Sequence, residues 1–241
     1  MDFSLIRQVN SPSGVVISIH SGDTLLWKKG SLPVGYQQLS YIETDGSQYI
    51  DTGVPASSFN DGLCYEFLGQ ITDYVQKNGH NYLFGCLNDS KRSGNVSFNT
   101  SEGLQKTAVY LGKTGSPIWI TNLPSTGSDF SLRVCATSTA PETVTATQND
   151  IPFTRTSFTA TACEMPSANI YLLWCNGVGA TSLPFWGRIY SFTMTNAAGD
   201  PIRSFLPCRR IPNDTIGLYD TVEGIFYENA GTGSFVAGEV L

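Results

Sequence analysis

The sequence predicts an all-β sandwich, and three observations carry that prediction. Apolar residues recur at every second position through most readable segments, which is the period of a strand with one face in a core. The segments are short and punctuated by clusters of Gly, Pro, Asn, Asp and Ser, with 24 Gly and 12 Pro in 241 residues. No run of twelve residues shows the apolar period of an amphipathic helix. Short strands at this regular spacing imply two packed antiparallel sheets.

Composition narrows the function classes. Hydrophobic residues make up 41% and charged residues only 14% of the chain, so a sizeable core is available and disorder is not expected. A formal net charge of -6 without a basic stripe excludes a nucleic-acid partner. No apolar segment is long enough to span a bilayer, and the N-terminus lacks a leader pattern, so no membrane insertion is expected and synthesis and folding are placed in a cytoplasm. The six cysteines, Cys64, Cys86, Cys135, Cys163, Cys175 and Cys208, have no CxxC spacing. In a reducing compartment they read as free, buried thiols.

Residues 1 to 30 read as an N-terminal β-hairpin arm. Val15, Ile17 and Ile19 alternate with Val16, Ser18 and His20, Ser21-Gly22-Asp23 turns the chain, and Thr24–Lys28 returns. A lone hairpin this apolar has to pack on something. Val15, Ile17, Ile19, Leu25 and Trp27 are therefore the candidate partner-attachment residues. The break at 28–33 opens the main domain, 31–241.

That domain begins with an expected hairpin, residues 38–43 and 48–52 about Asp45-Gly46. Leu63, Tyr65 and Phe67 alternate with Cys64, Glu66 and Leu68 in a strand expected to be covered on both faces. Residues 71–81 read as a long exposed loop, 82–86 return to the core, and 88–95 form a polar turn. Segments 96–99, 107–111, 117–121 and 129–135 read as strands, and Thr143, Thr145 and Thr147 as a solvent-facing strand edge. The apolar run 170–175 is expected mid-sandwich. From Arg188 to Thr195, Tyr190, Phe192 and Met194 share one parity and form a hairpin with 202–206 across Asn196–Pro201. A second hairpin joins 217–220 to 225–228, and 229–233 is a tight turn.

The blocks LPVGYQQLSYIETDGSQYIDTG (32–53) and WGRIYSFTMTNAAGDPIRSFLPCRRIPNDTIGLYDTVEGIFYENAGTGSF (186–235) resemble a concanavalin A-like, laminin-G-like jelly-roll domain. Such domains are common in structural proteins of bacteriophages and surface proteins of gut bacteria. The resemblance implies a jelly-roll sandwich on a virion surface, as a head decoration, head fibre or tail-tip protein made in the host bacterial cytoplasm. It also implies lectin-like adhesion to host or mucosal glycans. Ser11-Pro-Ser-Gly14 is similar to short attachment segments of phage proteins, so the arm is expected to dock on other virion proteins in a homo-oligomer.

Because the resembled fold also carries hydrolases, paired carboxylates are the first candidates for chemistry. Glu43 and Asp45 form the only E-x-D, with Ser47 where a third acid would be expected, and read as turn residues. No Gly-x-Ser-x-Gly elbow accompanies His20 or His80, and Gly231-Thr232-Gly233 lacks the Lys of a phosphate-binding loop. No catalytic residue is assigned and the chain reads as a non-enzyme. No metal ligand set emerges, although Asp45, Asp51, Asp200 and Asp220 near turns leave calcium possible. Binding remains, with Tyr74, His80, Asn81, Trp119 and Asn122 as candidate ligand residues on or beside loops. The alternatives are a glycan-depolymerising hydrolase and a purely architectural subunit. Residues 186–235 read as scaffold, with ligand contact expected in 70–160 or at the arm.

Overall fold

A computed structural model describes residues 18–21, 24–28, 32–74, 79–88, 91–102, 105–110, 118–136, 142–149, 151–158, 167–177 and 184–241. Strands β1 (Ser18–Ser21) and β2 (Thr24–Lys28) pair antiparallel in a sheet of their own, with Ile19 opposite Trp27 and His20 opposite Leu25. Val15 and Ile17 lie outside the described residues.

Two sheets build the rest. The smaller is ordered β10 (Ile118–Asn122), β9 (Lys106–Tyr110), β8 (Lys91–Asn99), β7 (His80–Asn88), β14 (Asn169–Leu172), β5 (Ile50–Pro55). The larger runs β13 (Ile151–Phe158), β12 (Glu142–Gln148), β11 (Asp129–Ala136), β6 (Leu63–Asp73), β15 (Trp186–Asn196), β16 (Pro201–Arg210), β17 (Thr215–Asp220), β18 (Ile225–Glu228). Where β15 and β16 part, β4 (Ile42–Thr44) pairs with β15 and β3 (Tyr36–Gln38) with β16, and β19 (Val236–Ala237) closes on β4. Among the described residues there is no α-helix. The molecule is an all-β sandwich of two antiparallel sheets, as the alternation predicted.

Inward positions of both sheets meet in an aromatic core. Phe67, Phe84, Phe98, Phe130, Phe185, Phe192 and Phe205 are each at most 1% exposed. Phe67 stacks on Phe130 at 5.4 Å and meets Phe185 edge-on at 5.7 Å. Burying each such ring is worth about 2–3 kcal/mol. Polar ties also cross between the sheets: Thr107 Oγ1 donates to Gln148 Oε1 at 2.6 Å, and Arg203 Nε donates to the Thr52 carbonyl at 3.1 Å. Arg203 also pairs with the fully buried Asp220 at 3.5 Å.

Several expectations are corrected. Residues 38–43 and 48–52 do not form a hairpin: β4 belongs to the large sheet and β5 to the small one, so Asp45-Gly46 carries the chain across the sandwich. The 71–81 segment is mostly strand, with β6 running to Asp73 and β7 starting at His80. The threonine strand β12 is not an edge, because β13 lies outside it, although Thr145 and Thr147 do face outward. Tyr190 does not share a face with Phe192 and Met194. A bulge between Ile189 and Ser191 reverses the parity, turning Tyr190 outward and half-exposed while Ile189, Phe192 and Met194 stay buried.

The free-thiol expectation is also overturned in part. Cys64 and Cys135 face each other across β6 and β11 and form a disulfide on the outer, half-buried face. Their direct cross-strand register places the two β-carbons close enough for the bond. Cys175 and Cys208 are free and buried, Cys86 is buried, and Cys163 lies outside the described residues.

Candidate functional site

The outer face of the large sheet holds a row of polar side chains set by strand register. Asp129 on β11 is opposite Gln70 on β6, Gln70 is opposite Arg188 on β15, and Arg188 is opposite Glu43 on β4. All four occupy outward parities because Phe130, Ile71, Ile189 and Ile42 take the inward ones. Gln70 Nε2 donates to Asp129 Oδ1 at 3.1 Å and to the Gly127 carbonyl at 3.0 Å. The bulged Tyr190 donates its hydroxyl to the same Asp129 oxygen at 2.6 Å. Burial, then this bond, raises the Tyr190 pKa, so the phenol stays a donor. Arg188 Nε bonds Glu43 Oε2 at 2.7 Å, and its guanidinium lies 4.3 Å above the Tyr41 ring. The Glu43 bond is the main cause of the raised Arg188 pKa.

Beside Glu43 the row ends in a groove of about 330 Å³. The groove is lined by Thr72 and Asp73 of β6, Glu43 and Thr44 of β4, Trp186 of the intervening β15, and Asp45, Ser234 and Val236. The indole is held by a close fit. Gly46 has φ 88°, and a β-carbon there would sit 1.9 Å from Trp186 Nε1, so only glycine permits both this turn and this indole position.

Hydrogen bonds fix the turn beneath the groove. Thr44 Oγ1 donates to Gln48 Oε1 at 2.7 Å, Gly46 N donates to Thr44 Oγ1 at 2.9 Å, and Asp45 N donates to Gln48 Oε1 at 3.1 Å. Ser47 donates to Asp45 Oδ1 through both its amide and its hydroxyl, and the hydroxyl bond is the leading reason that the Asp45 carboxyl is held below its usual range. The distant segment 229–233 clips this turn from outside. Tyr49 N donates to Asn229 Oδ1 at 3.1 Å and Thr232 N to the Ser47 carbonyl at 2.9 Å.

The residues singled out in sequence gather elsewhere, mostly at one end of the small sheet. Tyr74 donates its hydroxyl to the Pro124 carbonyl at 2.6 Å and packs edge-on against Phe98. Asn81 is 2% exposed. Trp119 is half-buried on the edge strand β10, facing away from the core residue Ile120. By register, Asn122, Lys106, Asn99 and His80 follow one another across β10, β9, β8 and β7. Asn99 Nδ2 donates to His80 Nε2 at 3.0 Å, which leaves Nδ1 to carry the proton and donate to Ser97 Oγ at 2.8 Å. That histidine is not a base for Ser97, which is itself fully buried.

The carboxylates singled out for calcium serve local structure. Asp51 Oδ1 accepts from Gly53 N and Asn169 Nδ2, Asp200 bonds the Asn196 amide, and Asp220 accepts from Ser204 N and Val222 N. Among the described residues no group of three His, Cys, Asp or Glu is placed to hold a metal ion.

Sequence reasoning missed Gln70, Asp129, Trp186 and Arg188 because the row they form with Glu43 is spread over four strands. The available hint was that Trp186 and Arg188 share the parity opposite Ile189.

No family model matches the chain, and no curated protein matches it. Among solved structures, a putative carbohydrate binding protein from Bacteroides ovatus superposes with a TM-score of 0.54 at 12% identity. The match covers 85% of this chain and 60% of that one. A scytalido-glutamic peptidase in complex with a transition state analog inhibitor aligns at a TM-score of 0.32 and 9% identity, over 85% of this chain and 98% of its own, too loosely to carry an argument. The chain therefore shares its two-sheet sandwich with the Bacteroides ovatus protein, and that likeness is one of fold.

Proposed function

We propose that this chain is a non-catalytic glycan-binding module whose ligand lies along the Asp129–Gln70–Arg188–Glu43 row and enters the Trp186 groove. The register that aligns these four polar side chains beside a half-buried indole is the observation that carries the reading. Carboxylates and amides of this kind exchange hydrogen bonds with sugar hydroxyls, while an aromatic face covers the apolar side of the ring. The fold shared with the putative carbohydrate binding protein from Bacteroides ovatus supports it.

The same row argues against hydrolysis. Asp129 and Glu43 are separated by three strand spacings, roughly 14 Å. Glycosidase carboxyl pairs sit about 5 Å apart in retaining enzymes and up to about 9.5 Å in inverting ones. Asp45, held below the usual carboxylate range, is the opposite of a general acid.

The test is a screen of the purified protein against bacterial capsular and mucin glycans. Retention without cleavage is expected, and Trp186→Ala or Arg188→Ala should weaken it about tenfold or more. Release of reducing ends would establish the depolymerase alternative. Undiminished binding by Trp186→Ala would take the ligand out of the groove, and Trp119→Ala then tests the Asn122–His80 row, which register also aligns.

The finer reading is a concanavalin A-like domain on a bacteriophage virion, assembled after synthesis in the host cytoplasm as a homo-oligomer. Its support is the resemblance of residues 32–53 and 186–235, together with a hairpin that forms a sheet of its own. In this reading the arm docks on other virion proteins. If protein lacking residues 1–30 still decorates particles, the arm has no such role; if it decorates nothing and binds no glycan when intact, the subunit is architectural.

A further inference from the structure

The structure carries a second aromatic surface, on the outer face of the small sheet. Tyr49 and Tyr171 stack with centroids 4.5 Å apart and planes 22° from parallel, and Trp174 adjoins Tyr49 at 5.9 Å. All three are half-buried: Tyr171 takes the outward parity of β14 between the core residues Ile170 and Leu172, Tyr49 immediately precedes the buried Ile50 of β5, and Trp174 lies in the bend after β14, beyond the buried Leu173. On the next strand the residue opposite Tyr171 is Gly85, which presents no side chain to cover the ring.

Polar groups stand beside the rings. Asp51 lies directly opposite Tyr171 across β5 and β14. Its Oδ1 is fixed by Gly53 N and by Asn169 Nδ2, both at 3.0 Å. This arrangement orients the carboxylate without consuming its second oxygen. Asn169 is itself held through its carbonyl, which accepts from Asn176 Nδ2 at 2.7 Å. A rigid aromatic surface flanked by an oriented hydrogen-bond acceptor suits a pyranose, whose axial C–H face covers the rings while its hydroxyls donate to the acid. The acidic neighbour disfavours anionic sugars.

We infer that Tyr49, Tyr171, Trp174 and Asp51 form a second saccharide-binding platform, specific for polysaccharides without negative charge. The inference rests on the glycan-binding reading of the chain but uses a different surface. The turn 44–49 lies between the two sites, with Asp45 in the groove and Tyr49 in the platform.

The experiment is affinity electrophoresis of the full chain through native gels cast with galactomannan, mixed-linkage glucan or glycol chitin. The expected result is that Trp174→Ala and Trp186→Ala each weaken retardation about tenfold and that the double substitution abolishes it. Trp174→Tyr should restore most of the loss, which a merely unfolded variant would not explain. If Trp186→Ala alone abolishes retardation and Trp174→Ala changes nothing, the platform is overturned and the groove stands. If Trp174→Ala alone abolishes it and Trp186→Ala changes nothing, the platform stands and the groove reading fails. Free passage of the unsubstituted chain through all three gels overturns the platform.

Discussion

Gly46 shows how one residue sets the geometry of the groove. Its positive φ and its contact with the Trp186 indole are separate demands, and an added methyl violates both. Gly46→Ala should cost about 1–3 kcal/mol from the backbone alone and should displace the indole, so a lower urea midpoint and weaker glycan binding are expected together. Arg188 makes a directional Nε bond while lying over Tyr41. A lysine ammonium cannot reproduce both, so Arg188→Lys should bind glycan no better than Arg188→Ala in titration calorimetry. Asp45 gives a pH dependence. Its carboxyl is held below the usual range by Ser47, so the tie is intact above the ordinary carboxylate pKa and is lost as pH falls through the lowered folded value. Ser47→Ala should raise the Asp45 midpoint read by NMR titration and move acid loss of binding to higher pH.

Among the elements, β6 and β11 are the pair joined covalently. Cys64 and Cys135 close a loop across 71 residues of sequence, so Cys64→Ser with Cys135→Ser should cost about 2–4 kcal/mol in a denaturant titration. Alkylation of the folded, unreduced protein should leave Cys208 unmodified at neutral pH, because burial pushes its thiol up to about 12. The hairpins β15–β16 and β17–β18 were legible in the sequence because alternation and turn residues are local signals. The turn at Asp45-Gly46 was not. Its chemistry suits a hairpin, but its binding partner is the 229–233 segment, 180 residues away along the chain between Tyr49 and Asn229. Tyr190 was misplaced for a related reason. A single bulged residue reverses the parity of everything before it, and nothing in the apolar pattern marks the extra residue. The run 170–175 likewise looked uniformly buried, yet Tyr171 and Trp174 are only half-buried, since aromatic rings satisfy an apolar pattern on either face.

At the scale of the whole molecule, one aromatic core supports two unlike outer faces. Phe192 touches Tyr65, Phe67, Phe84 and Phe205, bridging both sheets. Phe192→Ala should therefore cost about 3–5 kcal/mol and lower the thermal midpoint without altering which glycans are bound. The polar row was invisible in the sequence for a topological reason: Glu43, Gln70, Asp129 and Arg188 meet only after four strands have paired in an order unlike their order along the chain. The clip over the turn has a consequence for biogenesis. Strand β4 obtains β15 and β19 as its neighbours from residues 187–189 and 236–237, so a nascent chain holding Glu43, Asp45 and Asp73 outside the ribosome still has no groove. On the proposed reading, competence to bind arrives only once residues 236–237 have emerged and paired with β4, which keeps a growing polypeptide from being captured by polysaccharide before its sandwich is closed.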